Sequence, residues 1–204
     1  ARIFMDLKEY VRAAADLTRA ANLDPGDAEI LAMRGLTSME RMLYDAAAAD
    51  FTKALESSPG DPRVLYDRAV AHMLRDDQQA AMVDVEAVLR VMPTAARALC
   101  MRGIIRYRLG SIEEAREDFQ KAVDIAPYDP LLWNNRGFFL YKIDDRKDAL
   151  ESFNQALKLE PEYKSAQYNL RVLTQKNEAA ALKVQSTPED RGGSGTHHSH
   201  QAAN

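Results

Sequence analysis

The chain has 204 residues, with 31 acidic and 27 basic side chains, a formal net charge of −4 at pH 7 and an apolar share of 46%, a balance that excludes general disorder and leaves no basic surplus for a phosphate backbone. No apolar run approaches the roughly 20 residues of a spanning helix, and Arg2, Asp6, Lys8 and Glu9 interrupt the apolar stretch an export signal would need. A single cysteine, Cys100, permits neither an internal disulfide nor a cysteine-based zinc site, while 32 Ala against nine Gly and eight Pro favour an all-α chain of closely packed helices.

Five prolines, Pro25, Pro59, Pro93, Pro127 and Pro161, are separated by steps of 34 residues. The same step relates Ala13, Ala47, Ala81, Ala115 and Ala149, then Leu17, Phe51, Val85, Phe119 and Phe153, then Gly35, Ala69, Gly103 and Gly137. A recurring small residue on one helix and a bulky one on its neighbour supply the hole and the knob of a close-packed pair.

In chain order, 1–27 reads as a partial repeat that begins inside its first helix, and complete repeats follow at 28–61, 62–95, 96–129 and 130–163. Each is expected to run helix A, short turn, helix B and a Pro-marked turn, without β-structure. At Asp61-Pro62 and Asp129-Pro130 the Asp caps orphan amides and the Pro takes the first helical position, so both mark the start of an A helix. Ile112 to Val123 carries apolar residues at about 3.6 spacing and reads as an amphipathic B helix. Residues 164–185 continue as one helix, with Tyr168, Leu170, Val172 and Leu173 followed by polar side chains that suit a solvating cap. The Gly- and Ser-rich stretch 186–204 is expected to be a disordered tail.

Gly or Ala at repeat position 8, Ala at 20, an aromatic at 24, Ala at 27 and Pro at 32 resemble the tetratricopeptide repeat over most of the chain. The resemblance implies an α-solenoid, a right-handed superhelix of helix-turn-helix repeats, and a protein-interaction role. The pattern departs at position 4, where Trp survives only as Trp133 against Leu31, Leu65 and Leu99, and at position 11, where Ser38, His72 and Arg106 replace a large packed residue.

Arginine stands at position 7 of all four complete repeats, as Arg34, Arg68, Arg102 and Arg136, and aspartate at position 23, as Asp16, Asp50, Asp84 and Asp118, with Ser152 in the last. Pairing within a repeat sets Arg136 against Ser152 and leaves Asp16 alone. Pairing across repeats, Asp16 with Arg34, Asp50 with Arg68, Asp84 with Arg102 and Asp118 with Arg136, leaves no orphan, so the ladder is expected to bridge neighbouring repeats.

No phosphate loop, HExxH, CxxC or GxSxG signature is present. Asp76-Asp77 and Asp144-Asp145 fall in A–B turns, where solvated acids are expected. His72 takes a packing slot, Cys100 has no His at helical spacing to activate it, and His197, His198 and His200 read as a solvated tail rather than a metal site. Neither enzyme activity, a cofactor nor a metal is expected.

By resemblance to the family, the A helices line a concave face and positions 2, 5, 6, 9, 12 and 13 contact the partner. A clamp for the acidic C-terminal peptide of chaperones needs several converging basic and amide side chains. One window offers Ala32, Leu36, Asp67, Arg97 and Met101, the next Tyr66, Val70, Met101, Leu131 and Asn135, with a single basic residue between them. The face is apolar instead: Met33, Leu36, Met39, Tyr66, Val70, Met73, Met101, Ile104, Tyr107, Phe138, Tyr141, Tyr168 and Val172 fall in the contact set, with Tyr66, Met73, Ile104, Tyr107, Phe138 and Tyr141 as expected anchors. The expected function is a non-enzymatic scaffold or adaptor binding an apolar or amphipathic segment of a protein partner within a multiprotein assembly. An obligate structural subunit is the alternative to an adaptor. Neither nucleic-acid binding nor membrane insertion is expected, and the expected location is the cytoplasm, or an organelle lumen after removal of a targeting segment.

Overall fold

The computed structural model describes residues 7–186, and the side-chain surroundings of 9–175. The expected tail beyond Ser186, with His197, His198 and His200, lies outside the described residues. The described chain forms α1 (Leu7–Leu23), α2 (Ala28–Glu40), α3 (Tyr44–Ser57), α4 (Pro62–Leu74), α5 (Gln78–Val91), α6 (Ala96–Arg108), α7 (Ile112–Ile125), α8 (Pro130–Lys142), α9 (Arg146–Leu159) and α10 (Lys164–Ser186), with no strand among these residues. Helices α2, α4, α6 and α8 each pack on the helix that follows, and each pair stacks on the next, giving an α-solenoid.

Local chemistry starts and stops these helices where the period places them. Asp27, Asp61 and Asp129 accept hydrogen bonds from the first-turn amides of α2, α4 and α8, and Pro62 and Pro130 open their helices at no cost in backbone bonds. The A–B turn requires a left-handed residue at repeat position 15, met by Met42, Asp76, Gly110 and Asp144 with φ of 60°, 61°, 88° and 64°. Asp and Gly tolerate that conformation, whereas Met42 holds it against steric strain.

The knob and hole of each pair are visible atom by atom. A Cβ on Gly35 would lie 2.6 Å from the Phe51 ring, one on Gly137 2.7 Å from Phe153, and one on Gly103 3.2 Å from Phe119. In the α4–α5 pair the hole is Ala69 and the knob the smaller Val85, both with no exposed surface. Each fully buried side chain of this kind contributes about 1.5–3 kcal/mol. These contacts join a continuous apolar core that runs from Leu65 to Leu173 and meets a second cluster, Ala21 to Ala71, at Leu55. Because the core takes up one face of every A helix, the opposite face is left to line the inside of the stack.

Candidate functional site

The Arg–Asp ladder belongs to the scaffold, and it pairs within repeats rather than across them. Arg34 donates to both carboxylate oxygens of Asp50 at 2.9 and 2.5 Å, Arg68 to Asp84 at 2.8 and 2.6 Å, and Arg102 to Asp118 at 2.9 and 2.7 Å. Arg136 donates to Ser152 at 2.5 Å. Asp16, whose side chain is 75% exposed, pairs with Arg19 on its own helix. The expected pairs Asp16 with Arg34, Asp50 with Arg68, Asp84 with Arg102 and Asp118 with Arg136 are therefore corrected. The reason is register: positions 7 and 23 lie one residue before positions 8 and 24, so the ion pair is the rung beside the Gly–Phe contact, on the same two helices. Repeats are still bridged, through position 25, since Arg68 also donates to Thr52 and Arg136 to Gln120, both at 3.1 Å.

Position 11 serves the same ladder. Arg106 donates to the fully buried Asp118 at 2.8 Å, and the Nε2 of His72 lies 3.9 Å from Asp84. Leu140 takes that position where the acid is replaced by Ser152. His72 takes the packing slot expected of it, but its buried Nδ1 has no hydrogen-bond partner among the described residues. Burial holds its pKa below the usual histidine range against the pull of Asp84.

The inner-face residues divide by exposure. Met33, Leu36, Phe138 and Tyr168 are exposed, whereas Tyr66, Val70, Met73, Ile104, Tyr107 and Tyr141 are half-buried against the core. Met39 and Val172 are half-buried as well. Tyr107 stands edge-on to Phe139 at 5.7 Å between ring centroids, so part of its ring is committed to packing. Met101 is buried, which corrects its assignment to the groove surface. There α6 and α8 approach directly, and Asn135 donates to Sγ of Cys100, the residue before Met101, at 3.4 Å. Cations flank two of the exposed rings, Lys142 at 5.2 Å from Phe138 and Arg171 at 5.6 Å from Tyr168.

Between successive A helices the inner face opens into clefts. One of about 490 Å³ separates α2 from α4, with Met33 and Leu36 on one wall and Asp67 on the other. A second, about 520 Å³, lies between α4 and α6 over an apolar floor that includes Tyr66, Val88, Met92 and Ala98. A third, about 460 Å³, lies between α8 and α10, bounded by Asn134, Asn135, Phe138, Tyr168 and Asn169. All are of the size that small organic groups occupy in proteins. Burial raises the pKa of the Asp67 carboxyl, partly offset by Arg63, and burial likewise raises the Tyr66 hydroxyl. Burial pushes the Cys100 thiol up to about 11, so it stays protonated at neutral pH. Among the described residues no group of three or more His, Cys, Asp or Glu is placed to hold a metal ion, and no helix is long and apolar enough to cross a membrane.

Tetratricopeptide-repeat models match residues 96–129 and 130–163, and 1–62 and 32–89. Among solved structures the chain is similar to MamA from Desulfovibrio magneticus, with 25% identity over 77% of this chain and 96% of that one, at a TM-score of 0.63. It is also similar to TTC0263, a thermophilic protein of this repeat type from Thermus thermophilus, with 17% identity, coverage of 82% and 92%, and a TM-score of 0.70. YrrB, described as a repeat protein with an unusual peptide-binding site, shares 20% identity over 79% of this chain and 83% of its own, with a TM-score of 0.62. No curated protein sequence matches the chain.

Proposed function

The chain belongs to the tetratricopeptide-repeat family, and on that premise we propose that it is a non-enzymatic interaction scaffold whose inner face receives an apolar or amphipathic segment of a partner protein, within a larger assembly. The observation that supports this most is the set of exposed apolar side chains on that face, Met33, Leu36, Phe138 and Tyr168, interleaved with open clefts between A helices. Large exposed apolar groups at the two ends of that face cost solvation in the free chain and gain it back under a partner. YrrB lends analogy, since a relative of this fold is described as binding peptides. An acidic chaperone-type peptide suits the face poorly, because Asp67 puts a carboxylate on the inner clefts and such a ligand needs converging basic and amide donors.

The test uses the full chain as bait with quantitative recovery of bound protein. Leu36→Glu with Phe138→Glu changes two exposed inner-face positions, and Val83→Glu, at a 67% exposed position on α5, controls for the B-helix face. Recovery lost only in the inner-face variant supports the reading, whereas loss only with Val83→Glu moves the site to the outer face. Circular dichroism melting of all three chains must coincide for the comparison to stand.

A further inference from the structure

Resting on the inner-face reading, the polar groups of that face point to the chemistry of the segment it receives. In the C-terminal half the inward amides are already satisfied, Asn135 donating to Cys100 Sγ and Asn169 to Asn134 at 2.9 Å. Asp67 is not. It stands half-buried on α4, lines the clefts on both sides of that helix, and makes no hydrogen bond or ion pair among the described residues. The two arginines that line the α4–α6 cleft with it have carboxylates of their own, Arg63 on Asp61 at 3.1 Å and Arg97 on Asp129 at 3.0 Å. Removing a carboxylate from water without a compensating partner is costly, and the raised pKa of Asp67 is the signature of that cost.

An arriving cation would offset the penalty, while the apolar floor beside Asp67 offers nothing to a charge and much to a hydrocarbon. We propose that the α4–α6 cleft takes a segment of a partner protein in which a bulky apolar side chain is flanked by a lysine or arginine, the apolar group filling the cleft over Met92 and Ala98 and the cation pairing with Asp67. Charge complementarity selects this occupant. A segment with an acid at the flanking position would bring two carboxylates together, and a neutral one would leave Asp67 as costly as in the free chain.

The probe is an array of degenerate octapeptides, each with one fixed Leu, Phe or Met and one fixed flanking residue drawn from a cationic, a neutral or an acidic series, read with the labelled full chain. The cationic series is expected to bind about tenfold better than the neutral one, the scale of a charge-assisted hydrogen bond, and Asp67→Asn is expected to bring the two series together. Met92→Glu, at an exposed position on the cleft, is expected to weaken every apolar series. Equal binding of all three series, or a cationic preference that survives Asp67→Asn, overturns the assignment to Asp67 and leaves the inner-face reading standing. Absence of binding by any apolar series overturns both. Self-association of the chain that Asp67→Asn abolishes, with no peptide bound, assigns the cleft to a second copy and overturns the proposal.

Discussion

Removing Arg68 leaves Asp84 in a place where water cannot reach it, and this isolates the energy of one rung of the ladder. The Asp84 side chain is 2% exposed and accepts two bonds from Arg68, at 2.8 and 2.6 Å; among the described residues its other titratable neighbour is His72, at 3.9 Å. Breaking such a buried pair by deleting one partner costs about 3–5 kcal/mol. Arg68→Ala belongs toward the upper end, because the orphaned carboxylate is enclosed. Asp84→Ala belongs toward the lower end, because Arg68 keeps Thr52 at 3.1 Å and its side chain is 20% exposed. The double change removes both charges, so it should cost less than the sum, with a coupling of about 2–3 kcal/mol, as for residues in direct contact. Urea unfolding followed by circular dichroism supplies the free energies, and an unchanged slope for all variants ensures that the same transition is compared. Arg68 paired with Asp50, one repeat earlier, should be additive to within about 0.5 kcal/mol. Additivity of Arg68 with Asp84, or strong coupling of Arg68 to Asp50, would refute the register described above.

Gly137→Ala places a Cβ 2.7 Å from the Phe153 ring and should destabilise by about 1–3 kcal/mol; Gly103→Ala, at 3.2 Å from Phe119, should be nearly neutral because the gain in helix propensity, up to about 1 kcal/mol, offsets the crowding. Adding Phe153→Val to Gly137→Ala should recover part of the loss in the urea midpoint, since it copies the Ala69 and Val85 combination. Met42→Gly should raise the melting temperature, relieving about 1 kcal/mol of left-handed strain at a 73% exposed turn residue. Asp67→Asn should raise stability at neutral pH while weakening the cationic peptides, because burial raises the folded-state pKa of Asp67, so its stabilising effect is present at low pH and lost as pH rises through that pKa. Conversely, cationic peptides should bind best above the Asp67 titration and weaken on acidification through it, a dependence absent from Asp67→Asn in titrations by fluorescence anisotropy.

The helix pairs were legible because the same contact is made again every 34 residues, so the small residue at position 8 and the bulky one at position 24 of each repeat announce the packing that creates them. The ladder was misread although its signal was present. Arg34 to Asp50 and Gly35 to Phe51 are both separated by 16 residues, so once the second pair is assigned to one repeat the first must follow. Counting orphans pointed the other way, because Asp16 has no arginine at the matching offset and Arg136 meets a serine, and the structure satisfies these by other means, Arg19 and the Ser152 hydroxyl. Met101 could not be separated from its neighbours by periodicity, since its burial accompanies the direct approach of α6 to α8, which position 6 of the repeat does not encode. The exposure of Asp67 to two clefts likewise depends on how far α4 stands from α2 and α6, a distance no repeat position encodes.

In a stack whose repeats share one packing scheme, sameness and difference along the chain separate scaffold from site. Positions 7, 8 and 20 carry Arg, a small residue and Ala in every complete repeat, as the shared rung between helices A and B requires. Position 6 runs Met33, Asp67, Met101, Asn135 and Asn169, and position 9 runs Leu36, Val70, Ile104, Phe138 and Val172. These positions lie outside the rung that helices A and B share in every repeat. On the proposed reading, a bound segment would meet an apolar step at α2, a carboxylate at α4, a closed step at α6 and amides at α8 and α10. Such a sequence of chemistries is not symmetric under reversal, so the proposed segment would be held in one direction, and inverting the order of its apolar and cationic residues should cost affinity even at constant composition.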